Sequence, residues 1–153
     1  MIPMTLRRLT PGEQALAAGV FGASLDAARV WIASNPVGGR IFTSGSRLIV
    51  WASDRARRDF ADPATPLSDQ GDLIHELTHV WQAQRGTFLL LAKLRAGDSA
   101  AAYDYDLING PAFPDLNIEQ QAHVVEDAFL ESRGQTVRHP RAVYAAQARY
   151  WRS

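Results

Sequence analysis

The stretch His75-Glu76-Leu77-Thr78-His79-Val80-Trp81-Gln82 constrains the chain more than any other. Two imidazoles four residues apart share a face on an α-helix, where a step of about 100° per residue leaves them about 40° apart. On such a helix both rings reach a single metal ion, and Glu76 stands beside them, placed to take a proton from water. Leu73, Leu77 and Val80 form an apolar stripe next to the histidines, so the helix packs on a core while the histidines lie at its edge, in a cleft. Ser68 is a good N-cap, Asp69 and Asp72 suit the positive end of the helix dipole, and Gly86 is a natural stop. These signals predict a helix over about residues 69–85.

Composition permits metal chemistry and narrows its type. The chain has 153 residues, enough for one domain with a sizeable core, and no internal repeat divides it. Sixteen basic residues balance sixteen acidic ones, so neither a nucleic acid nor an anionic membrane is an expected partner. There is no cysteine, which leaves histidine and carboxylate as the strong ligands and excludes disulfide stapling. Arg7 and Arg8 are followed by no apolar run, and no segment is apolar long enough to span a bilayer. The expected location is the cytoplasm, with export by a route other than Sec left open.

The rest of the chain reads as short α and β segments. Thr10-Pro11 with Glu13 has the form of a capping box, opening a helix through about Phe21 with Leu16, Val20 and Phe21 toward the core. A strand over 29–32 ends at the breaker Asn35-Pro36-Val37-Gly38-Gly39. The β-rich runs 41–43 and 48–51 then form a hairpin around Ser44-Gly45-Ser46-Arg47. Residues 52–66, carrying Arg55, Arg57 and Arg58 beside Asp54, Asp59 and Asp62, read as a solvated loop with local ion pairs. The run 88–94 reads as a short buried helix, 97–114 as an ordered loop near the cleft, and a last amphipathic helix follows Pro140 with Val143, Tyr144, Tyr150 and Trp151.

A catalytic zinc needs a third protein ligand. Candidates are His123, His139, Glu119, Glu126 and Asp127. No histidine stands at position 85, so the longer metzincin pattern fails. Asn117 with Gln120 approximates a second capping box, opening a helix whose stripe Ile118, Ala122, Val125 and Phe129 faces the core. The adjacent stripe is Glu119, His123 and Glu126; packed against the motif helix, it presents Glu119 to the metal first and His123 one turn later. A di-iron bundle needs a second ExxH half-site, and Glu119 to His123 is one residue too long for it.

The pair HELTHVWQ and NIEQQAHVVED resembles the small bacterial Vgr-related metallopeptidases, themselves similar to the metallopeptidase-like core domain found with contractile injection systems. The likeness runs over most of the chain, from Leu9-Thr10-Pro11-Gly12-Glu13 onward. It implies a zincin-like fold, His75, His79 and Glu119 as zinc ligands and Glu76 as catalytic base; His123 and Glu126 are candidates to stand behind the ligands. Related gluzincins commonly carry aspartate four residues after the ligand glutamate, where this chain has His123. Three roles stay open for His123: accepting a hydrogen bond from a ligand imidazole, replacing Glu119, or neither.

The expectation is therefore an α+β, zincin-like single domain with a small twisted sheet beside the motif helix, acting as a gluzincin-like zinc metallopeptidase on a peptide or protein substrate. Glu76 takes the proton from water and passes it to the leaving amine; Tyr103, Tyr105 and His139 are candidate donors to the oxyanion. Trp81 reads as core or cleft wall. Two rivals remain: a non-catalytic zinc-binding assembly or effector module of a bacterial secretion or injection system, and a metal hydrolase acting on a bond other than a peptide.

Overall fold

In the first part of the chain a four-stranded sheet is assembled largely from segments with β-branched and aromatic residues. The computed structural model describes residues 5–97 and 99–153. Met1 to Met4, where the reading of the N-terminus begins, and Asp98 of the expected loop lie outside the described residues. Strands β1 (Leu6–Arg8), β2 (Trp31–Asn35), β3 (Phe42–Ser44) and β4 (Leu48–Ala52) lie in the order β1-β2-β4-β3. The expected hairpin is β3 with β4, antiparallel, with Thr43 opposite Ile49. β2 runs parallel to β4, with Ile32 opposite Ile49, so the chain crosses to the outer edge as β3 before returning to the centre.

Two strand expectations are corrected. β1 was not anticipated: it pairs antiparallel with β2 through Leu6 and Ala33, and three residues, none of them buried, carry no periodic signal. β2 begins at Trp31, because residues 27–29 form a 3-10 turn instead of entering the strand.

Helix α1 (Pro11–Phe21) has the capping box its sequence encodes. Thr10 Oγ1 accepts from the Glu13 amide at 3.1 Å, and Glu13 Oε2 accepts from the Thr10 amide at 2.8 Å. Glu13 is fully buried and also accepts from both terminal nitrogens of Arg7 and from the Phe60 amide, so one carboxylate ties β1, α1 and the loop before the motif helix. Ala17 and Phe21 are buried, while Leu16 and Val20 are partly buried against the core.

The motif helix is α2 (Leu67–Gln84). It starts a little earlier than expected, at Leu67 after the N-cap Pro66, and the Ser68 side chain does not cap it. The charged loop before it pairs with the first turns of α2 more than with itself: Arg57 Nε lies 2.8 Å from Asp69 and Arg55 Nη2 2.5 Å from Asp72. Gly86 ends the helix with φ of 96°, a left-handed value that suits glycine.

Helix α2 packs on α3 (Leu89–Ala96), on strands β3 and β4, and most extensively on α4 (Ile118–Ser132). Leu73, Ile74, Leu77 and Val80 from α2 meet Ala122, Val124, Val125 and Phe129 from α4 in one hydrophobic core with Ile49, Trp51 and Phe60. Gly71 lets the two helices approach closely; a Cβ there would meet Leu130 Cδ2 at 3.1 Å. The loop between α3 and α4 carries two short 3-10 turns, 100–102 and 113–115. The last helical segment is divided into α5 (Arg141–Gln147) and α6 (Arg149–Arg152), with Tyr144 and Trp151 buried.

Helix α3 overturns an expectation. It is not a buried helix: no residue of it is buried, and Leu90, Leu91 and Leu94 stand exposed. The α2/α4 pair is closed by its own side chains, so the leucine run is left on the surface. Among the described residues, no helix is long and apolar enough to cross a membrane. The chain is a small α+β domain.

Candidate metal centre

The α2/α4 packing brings His75, His79 and Glu119 together. His75 Nε2 lies 3.3 Å from Glu119 Oε2, and His79 Nε2 lies 3.4 Å from Oε1 of the same carboxylate. One ligand atom from each of the three fits within a 4.8 Å cluster, on side chains almost wholly withdrawn from solvent. His75 and His79 are one helical turn apart, with ring centroids 5.0 Å apart and planes at 78°. Glu119 is held at the start of α4, where the Asn117 and Gln120 capping box fixes the first turn.

Each ring has its other nitrogen tied down. His75 Nδ1 lies 2.9 Å from Glu126 Oε1, and His79 Nδ1 lies 2.9 Å from Gln82 Oε1. Both partners are acceptors, so each Nδ1 carries the proton and each Nε2 is turned toward Glu119. Gln82 is itself held, donating to the Ile118 carbonyl and to Gln121 Oε1, both at 3.0 Å. Two imidazole nitrogens and a carboxylate, with their backing acceptors in place, fit a zinc ion of the His-His-Glu type.

Burial acts to lower the His75 pKa, but hydrogen bonds to Glu119 and Glu126 overcome it and raise it from 6.5 to about 10. For Glu119, burial pushes the pKa up, and His75 and His79 outweigh it, holding the carboxyl well below its usual range.

Glu76 is buried on the neighbouring face of α2. Its Oε2 accepts from the Thr43 hydroxyl at 2.7 Å, and its charge helps to raise the His75 pKa. The Thr43 oxygen also lies 3.1 Å from the Glu76 carbonyl, so edge strand β3 is fastened to the motif.

His123 stands edge-on to His75, with ring centroids 4.9 Å apart. It is not the acceptor at His75 Nδ1; Glu126 is. Burial, followed by the charge of His75, lowers the His123 pKa. His75, His123 and Glu126 form a second cluster of ligand atoms, but it shares His75 with the first.

Of the three candidate oxyanion donors, Tyr103 lies beside this group, edge-on to His123 at 5.4 Å. Tyr105 and His139 belong to a different cluster. The buried Tyr105 hydroxyl donates to Asp127 Oδ2 at 2.5 Å and lies 2.7 Å from the Tyr144 hydroxyl. Burial, with Asp127 and Tyr144 beside it, pushes its pKa far above the usual tyrosine value. His139 Nε2 accepts from the Leu107 amide at 3.1 Å, and its ring meets Tyr105 edge-on at 5.6 Å. These contacts anchor the loop before α4. Gln82 and Thr43 were not singled out from sequence. Gln82 had a local signal, lying three residues after His79 on one helix face; Thr43 had none, because it reaches Glu76 across 33 positions.

No family model matches the chain. The type VI secretion system spike protein VgrG2b of Pseudomonas aeruginosa is 36% identical over 135 residues, which cover 82% of this chain and 13% of that protein. The chain thus spans a small part of the length of that relative. The solved effector domain of Pseudomonas aeruginosa VgrG2b is 32% identical, with a TM-score of 0.68 over 94% of this chain and 80% of that one. By sequence and fold together, the chain belongs to the family of the VgrG2b effector domain.

Proposed function

We propose that this chain is a secretion-associated effector module organised around a zinc centre, with His75, His79 and Glu119 as the ligands. The observation that carries this reading is the convergence of both Nε2 atoms on one carboxylate, in a fold shared with an effector domain of a type VI secretion spike protein. The relatives are named as spike and effector, which favours the secretion-associated module over the zinc metallopeptidase expected from the motif. A role as a component delivered with such a system follows for this chain as part of the same proposal.

A second reading, hydrolysis of peptide bonds, is favoured by Glu76. A bound zinc ion would supply a Lewis acid that activates water and polarises a carbonyl. The protein's own part is then legible atom by atom. Glu126 and Gln82 hold the two rings in the ligating tautomer. Thr43 holds one oxygen of Glu76, leaving Oε1 to take a proton and pass it to a leaving amine. Among the described residues, strand β3 pairs with β4 on one side only, so its other edge would offer backbone groups to an extended peptide.

One experiment separates the two readings. The zinc-loaded chain and Glu76→Gln are incubated with a peptide library, and products are read by mass spectrometry. Cleavage by the wild type and none by Glu76→Gln, at equal zinc content, supports the hydrolase. Zinc binding with no cleavage by either leaves the non-catalytic module. A chain with no zinc affinity contradicts both.

A further inference from the structure

Helix α3 is amphipathic in an unusual sense: its apolar side faces outward. At about 100° per residue, Leu89, Ala92 and Ala96 share one side, and these are its half-buried residues. On the opposite side, Leu90, Leu91 and Leu94 span roughly 100° of the circumference. They are 65%, 42% and 73% exposed, and Phe88, which precedes the helix, is 68% exposed. None of these residues belongs to the hydrophobic core.

The cations sit on both flanks of that stripe. Lys93 lies roughly 60° beyond Leu90, and Arg95 roughly 40° beyond Leu91. Both are exposed, and neither has an acidic partner among the described residues. From Arg85 to Gly97 the sequence has three basic residues and no acidic one. An apolar stripe edged by cations on long aliphatic stems is the arrangement that lies in a bilayer surface, with leucines among the acyl chains and basic heads among the phosphates. Among the described residues the two flanking cations have no acidic partner, which favours an anionic surface over an uncharged apolar groove.

We propose that α3 with Phe88 is an interfacial anchor that docks this domain on an anionic lipid surface. The face is distinct from the metal centre and the proposal does not depend on zinc or on hydrolysis. Because α3 packs against both α2 and α4, docking would place the ligand-bearing helices close to the bilayer. The expected absence of a membrane partner, drawn from an overall charge of zero, averaged this local patch away.

The test is sedimentation of the full chain with vesicles of phosphatidylcholine alone and of equal parts phosphatidylcholine and phosphatidylglycerol. Binding to the anionic vesicles should exceed binding to the neutral ones by about tenfold or more, and should weaken with salt. The double substitution Lys93→Glu with Arg95→Glu should abolish that preference. Leu90→Asn with Leu94→Asn should abolish binding to both, and circular dichroism should show both variants folded, since the changed side chains are exposed. Failure of the wild type to sediment with anionic vesicles overturns the proposal, as does equal binding by the glutamate variant. A wild-type dimer in ultracentrifugation that the asparagine variant converts to monomer, without lipid binding, would instead make the face a contact between copies.

Discussion

Glu126 Oε1 lies 2.9 Å from His75 Nδ1, while Glu119, seven residues earlier on the same helix, faces His75 Nε2. Both nitrogens of one ring are therefore addressed by α4. A carboxylate behind a ligating imidazole fixes its tautomer and increases its basicity. Glu126→Ala is expected to weaken zinc binding by about 10- to 100-fold, while the chain stays folded. Competition against a chromogenic chelator measures this, and an unchanged affinity would show that Glu126 is only a neighbour.

Gln82 does the corresponding work for His79 and also joins the helices, donating to the Ile118 carbonyl on α4. Gln82→Leu keeps the volume but leaves buried polar groups unpaired. It should destabilise the fold by about 1–3 kcal/mol in urea unfolding and also lower zinc affinity. Loss of stability alone would limit Gln82 to a structural bond.

The metal-free centre has a pH signature. With its folded pKa raised from 6.5 to about 10, His75 contributes stability that is full below pH 6.5 and is lost as pH rises through about 10. Glu119 is shifted the other way from its ordinary 4.5, so its contribution is present above that pH and is lost as pH falls. As far as this pair governs it, the metal-free melting temperature should be highest between these two unfolded values and decline on either side. Zinc must also displace the proton held by His75, so binding at neutral pH should release about one proton. Calorimetry in two buffers of different ionisation enthalpy reads that proton, and no buffer dependence would contradict the coupling.

Tyr105 separates anchoring from catalysis. Tyr105→Phe removes the hydroxyl between Asp127 and Tyr144. It should cost about 1–3 kcal/mol of stability and leave zinc affinity unchanged. A loss of hydrolysis with stability intact would return Tyr105 to the chemistry.

What could be read from sequence was local. The Thr10 and Asn117 capping boxes, the Ser44 to Arg47 hairpin turn and the four-residue spacing of His75 and His79 each concern residues within one turn or loop, and each appears in the structure. Glu119 was identified as facing the motif because a helical stripe has a calculable direction once its cap is located. Long-range relationships were not legible. β1 forms by pairing across about 25 residues, and Tyr105 turns away from the centre because Asp127 and Tyr144, distant in sequence, offer it partners. The run Phe88 to Leu94 is apolar in a way that suits a core, and composition does not reveal that the α2/α4 contact has already closed that core.

The proposed zinc site joins His75 and His79 of α2 to Glu119 of α4. Isothermal titration of the metal-free chain with zinc tests it most directly, with His79→Ala and Glu119→Ala measured alongside. One tightly bound zinc ion per chain is expected, with a large loss of affinity in each variant and both variants still folded by circular dichroism. Absence of specific zinc binding by the wild type, or full affinity in either variant, would contradict it.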